Sequence, residues 1–213
     1  MSENRKVRII NLGLTPYEES LEIMKDLQTK RIDDEIIDTL IFLHHPEIVT
    51  VGPRARNDGI KPPSDYDSFP VDRGGGLTWH GPGQLVAYPI FKWNMEDENS
   101  VAQIISKLEN WVIDALSKLD INSSIDDRMQ GVWVEGKKIS SIGLSFLRWT
   151  SRHGLTINYD TPESRVELLS GCGLDAQTTT SLSRLGYDVT FEQLKESLIS
   201  TMLKCLNREF ENK

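Results

Sequence analysis

Hydrophobic positions along the chain follow two periods, and each period predicts a different kind of element. Apolar side chains recur at helical spacing in three segments, which start near residues 15, 100 and 190. Each start has the pattern of an N-terminal capping box: Thr15-Pro16-Tyr17-Glu18, Ser100-Val101-Ala102-Gln103 and Thr190-Phe191-Glu192-Gln193. The sequence therefore predicts three helices, each with one apolar side that packs on a core.

Segments rich in β-branched residues predict strands between these helices. They are residues 36–43, 48–51, 70–72, 84–91, 131–134, 138–147 and 152–159. Glu135-Gly136 is a turn pair between two of them, which indicates an antiparallel meander. The polar, proline-rich segment 54–69 is expected to be a loop that covers a site. We expect an α+β (mixed α/β) fold with a largely antiparallel central sheet flanked by helices.

A glycine-rich stretch, residues 73–89, interrupts both periods. It reads R-G-G-G-L-T-W-H-G-P-G-Q-L-V-A-Y-P, with five glycines, two prolines and one histidine. Pro82 and Gly83 stand where a phosphate-binding P-loop needs Lys and Ser or Thr, and Trp79 stands where a dinucleotide fingerprint needs its third glycine. The stretch is either a surface turn or a place where the main chain approaches a substrate closely. The polar side chains among the glycines favour the substrate site.

Composition narrows the class of protein. A length of 213 residues fits one domain, residues 1–213, with a sizeable core. The sequence has no apolar run of membrane-spanning length and no signal-peptide pattern, so we expect a cytoplasmic protein that does not bind membranes. The net charge of −8 argues against nucleic acid as a partner.

Cys172 and Cys205 are the two cysteines of the chain. Cys205 has helical spacing with apolar neighbours, which is typical of a small buried side chain. Cys172 lies between glycines, where backbone N–H groups could stabilise a thiolate or an oxyanion, although a structural cysteine would also fit such a turn.

A cysteine nucleophile needs a base, because only about 3% of a free thiol is ionised at pH 7. His80, His153 and Lys138 are the candidates, and burial on a strand would lower the pKa of the Lys138 amine. The alternative is that Lys138 is an exposed hairpin lysine. The four histidines show no metal-ligand spacing, so no metal site is expected.

Four motifs occur in an order that resembles the octanoyltransferases of lipoate biosynthesis, in the biotin and lipoate protein ligase superfamily. They are the glycine-rich stretch, G-V-W-V-E-G-K-K-I-S-S-I-G, H-G-L-T-I-N and C-G-L. The resemblance implies that Cys172 is the acyl-accepting nucleophile and Lys138 its base. It also implies a set of substrate-binding residues: Arg73, Gly74, Gly75, Gly76, Leu77, Thr78, Trp79, His80, Ser141, Ile142, Gly143, His153, Gly154, Leu155 and Thr156.

The implied reaction moves an octanoyl group from acyl carrier protein, through a cysteine thioester, to a lysine of a lipoyl domain. The implied acceptors are the lipoyl domains of 2-oxoacid dehydrogenase complexes or the glycine cleavage H protein, and no cofactor is needed beyond the phosphopantetheine that carries the donor. Burial of six methylenes would contribute roughly 5 kcal/mol, which predicts an apolar tunnel. The alternatives are an ATP-dependent lipoate ligase, a lipoyl-domain amidotransferase and a non-catalytic acyl-binding protein.

The implied partners are acidic, as is this chain, so docking requires a local basic region. Residues 131–155 carry four basic side chains against one acid. Arg148 and Arg152 of this segment, with Arg54 and Arg56 of the expected loop, are predicted to dock the carrier proteins.

Overall fold

The computed structural model describes residues 5–169 and 178–211, which form a seven-stranded sheet, a smaller three-stranded sheet and four α-helices. The strands are β1 Arg5–Leu14, β2 Asp38–His44, β3 Ile48–Val51, β4 Ser68–Pro70, β5 Leu77–His80, β6 Gln84–Ile90, β7 Val132–Val134, β8 Lys137–Leu147, β9 Thr150–Asn158 and β10 Arg208–Phe210. The α-helices are α1 Tyr17–Ile32, α2 Pro53–Asn57, α3 Val101–Ser117 and α4 Phe191–Leu206, and Ser183–Leu185 forms a 3-10 turn.

The large sheet has the strand order β10-β1-β2-β6-β9-β8-β7. Neighbours from β2 to β7 are antiparallel, whereas β1 is parallel to both β2 and β10. The predicted fold class, with a largely antiparallel sheet and flanking helices, is confirmed. The parallel edge consists of β1 and of β10, a three-residue strand that has no signal in the sequence pattern.

Alternation along β2 shows that helices cover both faces of this sheet. Leu40 and Phe42 belong to the main core, which includes side chains of α3 and α4. Ile41 and Leu43 point the other way, into a second cluster with α1. Successive strand residues face opposite sides, so the centre of β2, residues 40–43, is a continuous apolar run because both of its sides are buried.

The small sheet has the order β4-β3-β5 and holds part of the glycine-rich stretch. Leu77–His80 forms β5, which pairs with β3 from Ile48 opposite His80 to Val51 opposite Leu77. The strand predicted at residues 70–72 ends at Pro70 instead. The segment expected to be a loop contains most of the short helix α2 and of β4. At its start, the N–H groups of Gly52 and Arg54 donate to the carbonyls of Gly76 and Gly75, which ties it to the glycine-rich stretch.

The three predicted helix starts have different outcomes. The capping box at Thr190 is present in both directions. At Ser100 the hydroxyl accepts from the Gln103 N–H, but the Gln103 side chain accepts from Asn99, one residue earlier than predicted. The cap at Thr15 is wrong: its hydroxyl donates to the Leu12 carbonyl, and α1 begins after Pro16 without a side-chain cap.

A buried ionic cluster fixes the C-terminal strand. The Arg208 side chain is fully buried and donates to Asp38 at 2.8 Å and to Glu98 at 2.7 Å. Its guanidinium lies over the rings of Phe91 and Trp93, at 4.8 and 4.5 Å from their centroids. Both carboxylates are also buried, and each has a second basic partner: Arg31 lies 2.6 Å from Asp38 and Lys107 lies 3.5 Å from Glu98. None of the described helices has the length and apolar character needed to cross a membrane.

Candidate functional site

A cavity of about 410 Å³ lies between the glycine-rich stretch and the paired strands β8 and β9. This volume is in the range of small-molecule sites. Most of the residues implied by the family resemblance line it: Arg73, Gly74, Gly75, Gly76, Leu77, Thr78, Trp79, His80, Lys138, Ser141, Ile142, Gly143, His153, Gly154 and Thr156. Leu155 is the exception, because its side chain points to the other side of β9 and packs in the main core.

Glycines in this region let main-chain segments lie in direct contact. The Gly74 N–H donates to the Leu144 carbonyl at 2.9 Å, which attaches the glycine-rich stretch to β8. A Cβ on Gly143 would lie 2.9 Å from the Gly74 carbonyl oxygen, and one on Gly52 would lie 2.3 Å from that of Gly75. The close approach that these glycines allow is therefore of backbone to backbone. An approach of this main chain to a substrate stays a prediction.

Arg73 holds the glycine-rich stretch to the small sheet. Its buried guanidinium donates to the Thr50 hydroxyl at 2.7 Å and to the carbonyls of Thr50, Gly74 and Gly76 at 3.1–3.2 Å. These contacts give backbone carbonyls a charged donor away from water. Arg73 therefore organises the wall of the cavity.

Lys138 is buried, with 5% of its surface exposed, and its side chain lines the cavity. The alternative of an exposed hairpin lysine is therefore wrong. Gly131 makes room for it, because a Cβ there would lie 2.7 Å from Lys138 Cε. The backbone N–H of Lys138 donates to the Thr178 carbonyl, and the Lys138 carbonyl accepts from the Thr180 N–H, both at 2.9 Å.

Cys172 lies outside the described residues. Leu169, the last described residue before it, and Thr179, the second described residue after it, both line the cavity. Cys205 lies elsewhere, half-buried on α4, with its thiol 3.2 Å from an Asp114 carboxylate oxygen. Burial, aided by that carboxylate, raises the pKa of the Cys205 thiol to about 12, which removes it as a candidate nucleophile.

His80 is buried and neutral, since burial lowers its pKa well below the usual value. The Gln84 amide nitrogen donates to the Trp79 carbonyl and to Asn158, so the Gln84 oxygen is left to accept. The ring nitrogen that faces this oxygen, His80 Nδ1 at 2.9 Å, must carry the proton. His80 Nε2 is then an acceptor.

His45 does not line the cavity, but it is buried in ring contact with Tyr17, His80 and Tyr88, and sequence reasoning assigned it no role there. Its Nδ1 donates to the Thr15 carbonyl at 2.7 Å, so its Nε2 accepts from the Tyr88 hydroxyl at 2.9 Å. Burial lowers the pKa of His45 to about 4. In the sequence, His45 belongs to His44-His45-Pro46, directly after a predicted strand, and this position gives no indication that its ring is buried among polar side chains.

His153 completes a group of three neutral imidazoles around Tyr17. The ring centroid of Tyr17 lies 5.2 Å from that of His45, 5.9 Å from that of His80 and 6.4 Å from that of His153. Within the described ranges, no group of His, Cys, Asp and Glu side chains could hold a metal ion. This agrees with the geometry, because both nitrogens of each ring already face protein partners.

The cavity has one apolar part and one polar part. Leu77, Trp79, Val166 and Leu169 belong to a single hydrophobic cluster. The polar part is formed by the tyrosine, histidine and amide side chains described above. The apolar tunnel that we expected is therefore apolar on one part of its wall only. The buried polar side chains of the other part are stabilised by hydrogen bonds to each other.

The four arginines predicted to dock the carrier proteins differ in their exposure and in their hydrogen bonds within the protein. Arg152 is engaged by Asp72 and by Gln28, and Arg56 donates to the carbonyls of Val51 and Val71. Arg152 is therefore largely occupied, whereas Arg56 stays exposed. Arg54 is 63% exposed and lines the cavity, and Arg148 is exposed at the tip of the β8–β9 hairpin. Docking of carrier proteins by these arginines stays a prediction.

The fold is one that lipoate and biotin protein ligases share. The bipartite lipoate protein ligase of the Thermoplasma acidophilum lipoylation system superposes with a TM-score of 0.70 at 15% identity, covering 98% of this chain and 87% of that chain. A biotin protein ligase from Aquifex aeolicus gives a TM-score of 0.55 at 14% identity, covering 93% and 68%.

The model of the lipoyl protein ligase A/B catalytic domain matches residues 16–203, and the chain belongs to this family. An octanoyltransferase from Syntrophobacter fumaroxidans is 35% identical over 98% of this chain and 94% of its own length. The resemblance to octanoyltransferases that the four motifs indicated is confirmed.

Proposed function

We infer that this chain is an octanoyltransferase, an acyltransferase that moves an octanoyl group onto the lysine of a lipoyl domain during protein lipoylation. The observation that carries this inference is a buried lysine, Lys138, in a cavity built by the motifs of the family. We further propose acyl carrier protein as the donor, with its phosphopantetheine carrying the octanoyl thioester. A cytoplasmic location and independence from any metal or cofactor of its own remain predictions.

In the proposed mechanism Cys172 is the nucleophile and Lys138 the base. Lys138 takes the proton of the Cys172 thiol, and the thiolate attacks the thioester carbonyl of the donor. The pantetheine thiolate leaves and receives that proton from Lys138, so an octanoyl–Cys172 thioester forms. The lysine amine of the acceptor then attacks this thioester, Lys138 accepts the amine proton, and Cys172 leaves as a thiol after the proton is returned to it.

Two features of the described chain support this pairing. Thr178 and Thr180, which follow Cys172 closely in the sequence, hydrogen-bond to the backbone of Lys138. The other cysteine is unsuited to the role, since its thiol pKa is about 12 and it lies on α4. Because thioester exchange is nearly isoenergetic and amide formation is downhill, the reaction needs no ATP.

The test is intact-protein mass spectrometry after mixing with octanoyl-acyl carrier protein, followed by addition of a lipoyl domain without ATP. We expect one octanoyl adduct on the wild type, none on Cys172→Ala, and a strongly reduced rate for Lys138→Ala. Cys205→Ala and Lys137→Ala are matched controls, because each removes the same functional group at a position outside the proposed dyad.

Three results would refute the proposal in different ways. An adduct that persists on Cys172→Ala would exclude the nucleophile. Modification of the lipoyl domain that requires ATP and free lipoate would instead indicate a ligase. Transfer only from an octanoylated protein lysine, with no reaction of the carrier-bound donor, would indicate an amidotransferase.

A further inference from the structure

One arginine, Arg165, attaches the chain that follows β9 to the region of the small sheet. Its Nε donates to Glu47 Oε1 at 2.5 Å and its Nη2 to Glu47 Oε2 at 2.8 Å, while its Nη1 donates to Asp65 at 3.0 Å. The guanidinium also lies 3.9 Å from the centre of the Tyr66 ring, and the Tyr66 hydroxyl donates to the Arg165 carbonyl at 2.9 Å. None of these four side chains lines the cavity that holds Lys138.

This arrangement holds the arginine more firmly than an ordinary surface ion pair would. Isolated exposed ion pairs contribute little to stability. Here the two parallel bonds to Glu47 fix the plane of the guanidinium, and the Tyr66 ring supports it from one face. Hydrogen bonds from Arg165 lower the pKa of the Glu47 carboxyl, so this carboxylate is ionised and accepts from each donor around it.

Glu47 connects the arginine to the cavity wall. Its Oε1 also accepts from the indole N–H of Trp79 at 2.9 Å, and Trp79 lines the cavity. The Trp79 ring is closely confined, because a Cβ on Gly81 would lie 2.3 Å from its Cζ2 atom. Val166 directly follows Arg165 in the chain and packs with Trp79 in one apolar cluster. Arg165 therefore joins these two wall residues from outside the cavity.

The segment that carries Val166 depends on side-chain contacts for its position. Residues 161–169 form neither helix nor strand, so no regular backbone pairing holds them. The other polar side-chain contacts of this segment with described residues are single ones, such as that of Arg184 with Glu163 at 3.4 Å. Among the described residues, Arg165 is thus the strongest polar attachment of the segment.

The apolar part of the cavity is the surface that fits an acyl chain. It is formed by Leu77, Trp79, Val166 and Leu169, and Lys138 lines the same cavity. Leu169 is three residues before Cys172 in the sequence, which limits the separation of their Cα atoms to about 11 Å in any chain conformation. An extended octanoyl chain is about 9 Å long, given C–C bonds of ~1.5 Å. An acyl chain attached to Cys172 is therefore long enough to reach this surface.

We propose that Arg165 is a positioning residue for acyl binding, which through Glu47 and Tyr66 holds Val166 against Trp79 so that the apolar part of the cavity fits the acyl chain. This role rests on the proposed octanoyl transfer. Arg165 lies outside the cavity, so it touches neither the acyl chain nor a reacting atom. Its loss should therefore weaken the binding of a long acyl chain and leave the chemistry at the carbonyl unaltered.

The first test compares octanoyl- and butyryl-acyl carrier protein as donors for Arg165→Gln. For the octanoyl donor we expect kcat/KM to fall on the order of tenfold, the size of one lost hydrogen bond to a charged group, mainly through KM. The butyryl chain is shorter and places fewer methylenes on the apolar surface, so its kcat/KM should fall by less than about threefold. Val166→Ala should give the same selective loss, and the double variant should lose less than the product of the two single losses, because both changes act on one surface. Arg184→Gln is the matched control, since Arg184 contacts the same segment through one exposed carboxylate.

An equal loss for both donors, a loss in kcat alone, or independent effects in the double variant would each overturn the proposal. The second test does not depend on catalysis. A glutamyl endopeptidase should cut after Glu167 on the order of tenfold faster in Arg165→Gln than in the wild type or in Arg184→Gln, because the segment opens more often when it is not held. An unchanged cleavage rate would refute the positioning role. If the wild type transferred no octanoyl group, the proposed function and the acyl-binding role would fail, while the cleavage rates would still decide whether Arg165 holds the segment.

Discussion

Gly131→Ala tests whether the room left by a glycine positions the buried lysine. Gly131 has φ of 128°, and a Cβ built on it would lie 2.2 Å from the Ser140 carbonyl oxygen and 2.7 Å from Lys138 Cε. Since carbon atoms pack at about 3.5–4.0 Å, Lys138 Cε would have to move by roughly 1 Å. The Ser140 carbonyl belongs to the backbone of β8, so the strand that carries Lys138 would shift as well.

Two magnitudes follow from this geometry. The unfavourable φ and the overpacking each cost about 1–3 kcal/mol, so we expect a loss of roughly 3 kcal/mol in the free energy of unfolding. For a chain of this length that corresponds to a Tm decrease of about 6–12 °C. A displacement of a catalytic group by about 1 Å should lower kcat by on the order of 100-fold.

Gly136→Ala is the matched control for this variant. Gly136 also has a positive φ, 73°, but a Cβ there would have no neighbour within 4 Å. We expect a stability loss of about 1 kcal/mol from the backbone alone and an unchanged kcat. Thermal unfolding by circular dichroism and octanoyl transfer to a lipoyl domain measure the two effects. If Gly131→Ala matched Gly136→Ala in both Tm and kcat, the inference that Gly131 positions Lys138 would be refuted.

Two further predictions concern stability. Arg208→Met should cost about 3 kcal/mol in urea unfolding, because buried Asp38 would keep only Arg31 as a charged partner and buried Glu98 only the 3.5 Å contact with Lys107. The exposed ion pair of Lys204 is the control: Lys204→Met should change stability little, and equal effects would contradict the reasoning. His45 has a pKa of 6.5 in the unfolded chain and of about 4 in the folded protein, where burial lowers it. Between these two pH values the unfolded state binds more protons than the folded state. The free energy of unfolding therefore decreases as the pH falls from 6.5 to 4. His45→Gln should remove up to about 3 kcal/mol of that acid sensitivity in denaturation midpoints measured between pH 7 and pH 4, and an unchanged pH dependence would exclude His45 as its source.

Features with a short-range cause could be predicted from the sequence. The caps at Ser100 and Thr190 and the turn at Glu135-Gly136 depend on residues within four positions of each other, so the chain encodes them locally. The motif residues, which the family resemblance implied, mostly line the cavity. The cap at Thr15 failed because its hydroxyl found a partner in the preceding strand.

Tertiary structure decided the burial and the pairing of the site residues. Lys137 and Lys138 are indistinguishable by local pattern, and only the pairing of β8 with its neighbours directs Lys138 inward. Tyr17 meets His153 across 136 sequence positions, and Asp72 meets it across 81. A hydrogen bond between distant side chains leaves no periodic signal in the sequence, so the polar end of the cavity became visible only when the strands that carry its residues were brought together. The sequence alone determined the three long helices, most strands of the large sheet, the family and the residues that the motifs contain. The fold determined the short elements α2, β4 and β10 and which neighbours of the motif residues share the site.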